Sequence, residues 1–543
     1  MANIFCPDDP NRPMWEMTLG ELLDRAVAEV PEEKVFADVC GHEISYRRFQ
    51  RIAARTAAMF QSMGVGKGDR VCLLLPNCPE VLYCWFGLSL LGAIAVPINT
   101  AYKRDETAYI LNDAEATALV AHESTLAVAD EASQLAPSIE HRLLVGEAGR
   151  RTEGWLGLDE ALSGAEPVSP NPEVSPDDVS MLVYTSGTTG NPKGVQMTHS
   201  MYVAAGQGFA HWTRASPDDR FFTCLPFYHA NAQYYSTMGA LAVGATLVVV
   251  ERFSASRFWD EVRRARATVV NFIGMMMQVL AKQPPASDDR RNSVRLFYGS
   301  PSFSPEFLSA FEERFDTDVI VGFGMTETCY GAIEGIREPR RAGSSGRARQ
   351  HPDPRFRNEI RVPDDTGRPA GDGVVGEITI RNPAVMPGYW RNEEQTSAAL
   401  KDGWLHTGDL GWMDEDGFLY FVDRKKDVIR RRGENISSQE VESVIKRHVG
   451  VMDCAVIGVP SELGEDEVKA YVVPRAGSDV TPEQIVYWCA DSLAYFKVPR
   501  YIEMRDDLPR TPSLRVRKDQ LRRERYDLTE GCFDREVAGL NIR

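Results

Sequence analysis

The chain has 543 residues, 43% of them hydrophobic and 26% charged, which is too long for one core and ordinary for a soluble globular protein of two or more domains. A formal net charge of −17 excludes a general nucleic-acid binder, which needs a broad basic surface. Ten cysteines without a CxxC pair and nine histidines without an HExxH pattern argue for free thiols in a reduced compartment and against a structural zinc.

The amino-terminal stretch Met1-Ala-Asn-Ile-Phe-Cys-Pro-Asp-Asp lacks the basic-then-apolar layout of a signal peptide, so a cytoplasmic protein is expected. Leu19 to Ala28 and Tyr46 to Met63 predict amphipathic helices, and Arg70 to Leu75 and Ala118 to Ala121 predict short buried strands. Val81 to Ile98 is eighteen residues without a charge, the lower limit for a membrane span. Gly87, Gly92 and Pro97 interrupt it. The run instead predicts a buried helix over Glu80 to Leu91, a Gly92 cap and a strand over Ala93 to Ile98, with no membrane span. Helix and strand patterns alternate through the first 170 residues, which implies largely parallel sheets flanked by helices. A Pro/Ser/Glu-rich linker, Gly164 to Asp178, follows.

Next comes an apolar strand-like run, Val179 to Val183, and then Tyr184-Thr185-Ser186-Gly187-Thr188-Thr189-Gly190-Asn191-Pro192-Lys193-Gly194. Glycines here let the backbone approach a ligand, while N–H groups and hydroxyls cradle phosphate oxygens. Lys193 adds a point charge. A flexible linker has no need of a lysine fixed between Pro192 and Gly194, and the string is no Walker A loop, since no Ser or Thr follows the lysine. Nucleotide phosphate binding is the reading these residues support.

Alternation resumes through Thr246 to Glu251, Val269 to Ile273 and Asp318 to Val321. Leu225-Pro226-Phe227-Tyr228-His229-Ala230-Asn231-Ala232-Gln233 places aromatics and a histidine at a strand end, where open α/β sheets bind ligands. Gly322-Phe323-Gly324-Met325-Thr326-Glu327-Thr328 offers an aromatic to stack on a base, a hydroxyl for phosphate and a carboxylate for Mg²⁺. Gly343 to Asp372 is rich in Gly, Pro, Arg and Asp and predicts exposed turns and hairpins. Trp404-Leu405-His406-Thr407-Gly408-Asp409 ends in a carboxylate suited to two ribose hydroxyls. After Asp423 a shorter unit begins, with a helix at Ser438 to Val449 and strands at Asp453 to Gly458 and Val468 to Pro474. The predicted fold is therefore α/β: a large multi-sheet body with flanking helices over residues 1–424, then a small α+β domain over 425–543.

In this order the motifs resemble the AMP-forming adenylating superfamily of acyl-CoA synthetases, luciferases and peptide-synthetase adenylation domains. Leu225 to Gln233 and Gly433-Glu434-Asn435-Ile436-Ser437 are most similar to crotonobetaine/carnitine-CoA ligase-like enzymes. The resemblance implies an enzyme that uses ATP and Mg²⁺ to adenylate a small or aromatic acid, and then passes the acyl group to coenzyme A. It implies that Thr185, Ser186, Gly187, Thr188, Thr189, Gly190 and Lys193 hold the β- and γ-phosphates. Gly299, Ser300 and Pro301 with Phe323 and Gly324 would enclose the adenine, Thr326 would contact the α-phosphate, and Glu327 would hold the metal. Asp409 and Arg424 would grip the ribose, Lys426 would be the hinge of a mobile small domain, and Gly433 would line the thiol channel. Phe227, His229, Asn231, Gly322 and Tyr330 would shape the acid pocket, with Tyr228 and Met275 to Met277 as further candidates.

One departure stands out. The family ends in Leu-Pro-Arg-Thr-Pro-Ser-Gly-Lys, whose lysine enters the site, whereas this chain reads Leu508-Pro509-Arg510-Thr511-Pro512-Ser513-Leu514-Arg515. Arg515 keeps the charge, but a planar guanidinium does not replace an ammonium neutrally. Three readings follow: Arg515 or Lys518 takes over and CoA ligation persists; the nucleophile is unusual, as in amide synthetases or nitrite-using diazotases; or adenylation has been lost.

Overall fold

The structure, a computed structural model, describes residues 11–146, 152–185, 192–300, 303–364, 371, 373–425, 427–431, 434–461, 466–510, 516–540 and 542. Local signals set the first elements. Thr18 caps the helix Leu19–Glu29 by accepting from the Glu21 amide at 3.1 Å, and the Glu21 carboxylate accepts from the Thr18 amide at 2.7 Å. Pro79 opens the buried helix Pro79–Leu91, Gly92 closes it at φ 76°, and the chain continues into the strand Ile94–Pro97. The uncharged run is thus helix, cap and strand. Among the described residues no helix is long and apolar enough to cross a membrane.

The chain divides into two units. The first comprises Met1–Ile360, Ile380–Leu405 and Gly417–Leu419; the second comprises Arg361–Thr379, His406–Asp416 and Tyr420–Arg543. The first holds two large sheets. A seven-stranded sheet runs in the order Leu156–Gly157, His141–Val145, Ala118–His122, Arg70–Leu74, Ile94–Pro97, Val179–Thr185, Lys193–Thr198. Its pairings are parallel except the last, which sets Thr185 antiparallel to Lys193.

A nine-stranded sheet runs Arg347–Ala348, Thr328–Ile333, Asp318–Met325, Leu296–Ser300, Val269–Ile273, Arg220–Thr223, Thr246–Val249, Val35–Val39, His42–Ser45. It is parallel from Asp318–Met325 to Val35–Val39 and antiparallel at both margins. Central strands such as Val269–Ile273 and Thr246–Val249 are buried and mostly apolar, as expected of a parallel sheet covered on both faces, with Asn271 the polar exception in the first.

The polar stretch after Gly343 corrects the sequence reading. Arg349, His351, Asp353 and Asn358 are all buried rather than exposed. Asp353 accepts from the Met14 amide at 3.0 Å, His351 pairs with Gln207 at 2.9 Å, and Asn358 donates to Gly331 O at 3.0 Å. Buried polar groups are tolerated where each finds a partner, and these find theirs on distant parts of the chain.

In the second unit Val451–Pro460, Asp466–Pro474, Tyr501–Met504 and Phe533–Asp534 form a four-stranded sheet. The helix Ser438–Lys446 buries Val441, Val444 and Ile445 in a core that also holds Val456, Val472 and Ile485. Asp423 receives the Ser438 amide at 2.7 Å and the Ser438 hydroxyl at 2.6 Å, so a carboxylate sits at that helix N-terminus, where the backbone dipole favours it.

Candidate active site

Two hairpins and one returning segment assemble the chemistry-bearing residues of the large unit. Lys193 opens the strand Lys193–Thr198 directly opposite Thr185, so the two ends of the glycine-rich loop are pinned together. Thr326 and Glu327 are the two turn residues between Met325 and Thr328, which pair across the second hairpin. The segment after Asn382 ties both hairpins: Val385 bridges Thr328, Tyr389 bridges Val195, and the Trp390 amide donates to Gly194 O at 2.7 Å.

That segment supplies two residues the sequence reading missed. Lys193 Nζ donates to Gln395 Oε1 at 3.0 Å, from 202 residues away in sequence, and lies 4.5 Å from the centre of the Tyr389 ring. The Tyr389 hydroxyl donates to Glu327 Oε1 at 2.9 Å. A cation, an aromatic face and a carboxylate thus form one continuous chain. Burial lowers the pKa of Lys193, and the Glu327 carboxylate opposes that shift. Burial also raises the Tyr389 phenol far above its ordinary value, with Glu327 adding to the effect, so Tyr389 stays a donor. Glu327 is 8% exposed, and its Oε2 receives no hydrogen bond among the described residues.

Gly299 and Phe323 stand on neighbouring strands, Gly299 beside Val321 and Phe323 opposite Ala332. A side chain at 299 would overlap the Phe272 carbonyl, so glycine is required there. Ser300 is exposed at its strand end. The Tyr234 hydroxyl donates to Thr326 O at 3.1 Å and fixes the turn from below.

The Leu225–Gln233 segment leads into a π-helical turn, Ala232–Thr237, a geometry frequent at functional sites. Asn77 holds it by accepting from the Phe227 amide at 3.2 Å and donating to Leu225 O at 3.2 Å. The His229 amide donates to Pro226 O at 3.0 Å, and its ring meets Tyr228 edge-on at 4.8 Å. Asn231 accepts from Asn271 at 3.2 Å. Tyr330 lies in the core, with its hydroxyl on Ala204 O at 2.8 Å and its ring 4.3 Å from Phe356. Met276 and Met277 are fully buried.

In the small unit Arg424 Nε lies 3.7 Å from Asp409 Oδ1. Gly408, at φ 71°, turns the chain so that its amide meets Glu377 at 3.0 Å while Asp409 N is held by the Thr407 hydroxyl at 3.1 Å. Arg431 is buried in an ion pair with Glu467 at 2.6 Å, and Arg522 meets Asp427 at 2.8 Å. Lys518 Nζ lies 2.6 Å from Ser438 Oγ and 2.7 Å from Glu442 Oε1, with only 13% of its side chain exposed. Ser186, Gly187, Thr188, Thr189, Gly190, Pro301, Lys426, Gly433 and Arg515 lie outside the described residues.

The chain matches the AMP-binding enzyme family over residues 23–390 and the AMP-binding enzyme C-terminal domain over residues 440–515. It belongs to that family, and it is an enzyme of the ligase type. It is 37% identical to the crotonobetaine/carnitine–CoA ligase of Salmonella arizonae over 524 residues, 94% of this chain and 98% of the relative. Among solved structures it is similar to the anthranilate CoA ligase AuaEII in complex with anthranoyl-AMP, with TM-score 0.85, 26% identity, and 95% and 98% of the two chains covered. It is similar also to ATP-bound MatB from Rhodopseudomonas palustris, with TM-score 0.84, 28% identity, and 95% and 100% covered. The resemblance drawn from the motifs and the mixed α/β fold are both borne out.

Proposed function

We propose that this enzyme activates a small or aromatic carboxylic acid with ATP, releasing pyrophosphate, and transfers the acyl group from AMP to the thiol of coenzyme A. The observation that carries this reading is the Lys193–Tyr389–Glu327 chain, which sets a cation and a carboxylate at the mouths of the phosphate hairpin and the Gly322–Thr328 hairpin. In-line attack of a carboxylate on the α-phosphorus brings two anions together, so fixed positive charge and positioning are what a protein must supply. Lys193 suits the outer phosphates. The Phe323 ring and the bare backbone of Gly299 suit a purine. Asp409, with Arg424 beside it, suits the ribose hydroxyls.

Magnesium is held by one or two carboxylates together with substrate phosphates and water, and Glu327 with its Oε2 unclaimed fits that pattern. Among the described residues no cluster of three His, Cys, Asp or Glu competes with it. When bound, the ion would neutralise developing charge on the phosphates.

The relatives named above as CoA ligases support coenzyme A as the acceptor. The replacement of Gly-Lys by Leu514-Arg515 supports a second reading, in which the adenylated intermediate is taken by an amine or formed on nitrite. One assay separates them: purified enzyme with MgATP is given an acid panel with coenzyme A, amines or nitrite, and the products are identified. Acyl-CoA formation supports the first reading, whereas amide or diazo products without acyl-CoA overturn it in favour of the second.

A further inference from the structure

We propose that Arg349, with Tyr235 and Tyr298, forms an anion-recognising floor to the acid pocket, so that the preferred acid carries a second anionic group remote from its reacting carboxylate. This rests on the reading above that places Gly322 in the acid pocket. Arg349 is 1% exposed, and its guanidinium makes no ion pair with a carboxylate among the described residues. Its donors go to neutral acceptors instead: Nε to Ala332 O at 2.9 Å, Nη1 to Cys329 O and the Tyr235 hydroxyl at 2.8 Å each, and Nη2 to the Tyr298 hydroxyl at 2.5 Å. The ring of Trp212 lies 4.9 Å from the guanidinium carbon.

Burying an ionised group without a counter-charge is costly, because hydrogen bonds to neutral groups replace only part of the lost hydration. Arginine stays charged under all ordinary conditions, so it cannot escape by releasing a proton. A cation left in this state is a receptor whose counter-ion comes from outside the chain.

The geometry directs that receptor towards the site. Side chains alternate along a strand, so Gly322 and Gly324 share one face of Asp318–Met325 and Phe323 takes the other. A side chain at 322 would overlap Arg349 Nη2, and one at 324 would lie 3.8 Å from Nη1 and 3.2 Å from the Tyr235 hydroxyl. Only backbone therefore separates the guanidinium from the strand that leads to Thr326 and Glu327. Tyr235 belongs to the π-helical turn that follows His229 and Asn231, which brings the acid-pocket segment to the same group. The Tyr235 hydroxyl accepts from Arg349 and spends its own proton on Cys329 O at 3.0 Å, whereas the Tyr298 hydroxyl accepts from Arg349 Nη2 and carries the proton that an anion seated there would receive. Arg349 lies in the polar stretch that composition alone marks as exposed, so no local signal points to it.

The test compares matched acids on the full chain with MgATP: terephthalate against benzoate, and succinate against butyrate, with AMP formation as readout. The diacid of at least one pair is expected to have a kcat/KM at least ~10-fold above its monoacid. Arg349→Gln is expected to erase that preference by raising the KM for the diacid, leaving the monoacid within about threefold and the Kd for ATP unchanged. Tyr298→Phe, a milder change, is expected to reduce the preference in the same direction and decides the matter if Arg349→Gln does not fold. Wild-type preference for both monoacids overturns the proposal, as does an equal loss on both acids in whichever variant folds. AMP formation with monoacids alone removes only this inference. ATP binding without AMP from any acid removes the adenylation reading beneath it.

Discussion

Tyr389 donates its phenol hydrogen to Glu327 Oε1 at 2.9 Å while its ring supports the Lys193 ammonium at 4.5 Å. One residue therefore sets the positions of both the cation and the carboxylate proposed to meet a triphosphate. Hydrogen bonds to a charged partner contribute about 1.5–3 kcal/mol. Tyr389→Phe should lower thermal stability and raise the KM for MgATP several-fold; a variant unchanged in both would show that the contact does not organise the site.

Glu327→Ala removes the carboxylate proposed to hold Mg²⁺. Loss of one preorganised electrostatic group costs ~10²–10³ in rate, and turnover should fall by at least that factor with ATP. Excess Mg²⁺ should not restore it. Undiminished activity would remove Glu327 from the site.

Lys193 has its pKa lowered, first by burial and with Glu327 opposing. It must be protonated to meet phosphate, so activity should fall as pH rises through that lowered value, below the 10.5 of a free lysine. Lys193→Arg, which stays charged, should move this alkaline limb upward in a pH–rate profile even as it lowers the maximal rate. An unmoved limb would assign the titration to another group.

How much of this was legible beforehand differs from residue to residue. Gly92 announced the end of a helix because a stop signal is local, whereas the helix opens one residue earlier than read, at Pro79. Thr185 and Lys193 stood out because a phosphate loop is contiguous. Tyr389 and Gln395 carried no such signal: their meaning arises from a partner 202 residues away for Gln395 and 62 residues away for Tyr389. Arg349, His351 and Asp353 were misread as surface because composition counts polar groups and cannot count their hydrogen bonds.

Two buried histidines link stability to pH. Burial lowers His199 from 6.5 to about 4 and His351 to about 3, and His199 Nδ1 accepts from the Leu19 amide at 3.1 Å. The unfolded chain therefore binds protons that the folded chain refuses. Stability from these groups is complete above pH 6.5 and is lost as pH falls towards 4. The urea midpoint should drop between pH 7 and pH 5, and His199→Asn should shrink that drop. A midpoint constant across this range would contradict the assignment.

Lys518 is held by Ser438 and Glu442, which leaves Arg515 as the cation expected to stand in for the missing family lysine. Arg515→Ala should slow AMP formation by about 10²-fold in single-turnover experiments while transfer from a preformed acyl-adenylate keeps its rate. Lys518→Ala should instead lower the melting temperature. The reverse pattern would exchange their roles.

The most direct measurement is the fate of the nucleotide. With MgATP and an accepted acid, the products should be AMP and pyrophosphate in equal amounts. ADP and orthophosphate would place the displacement at the γ-phosphorus and contradict the account at its root.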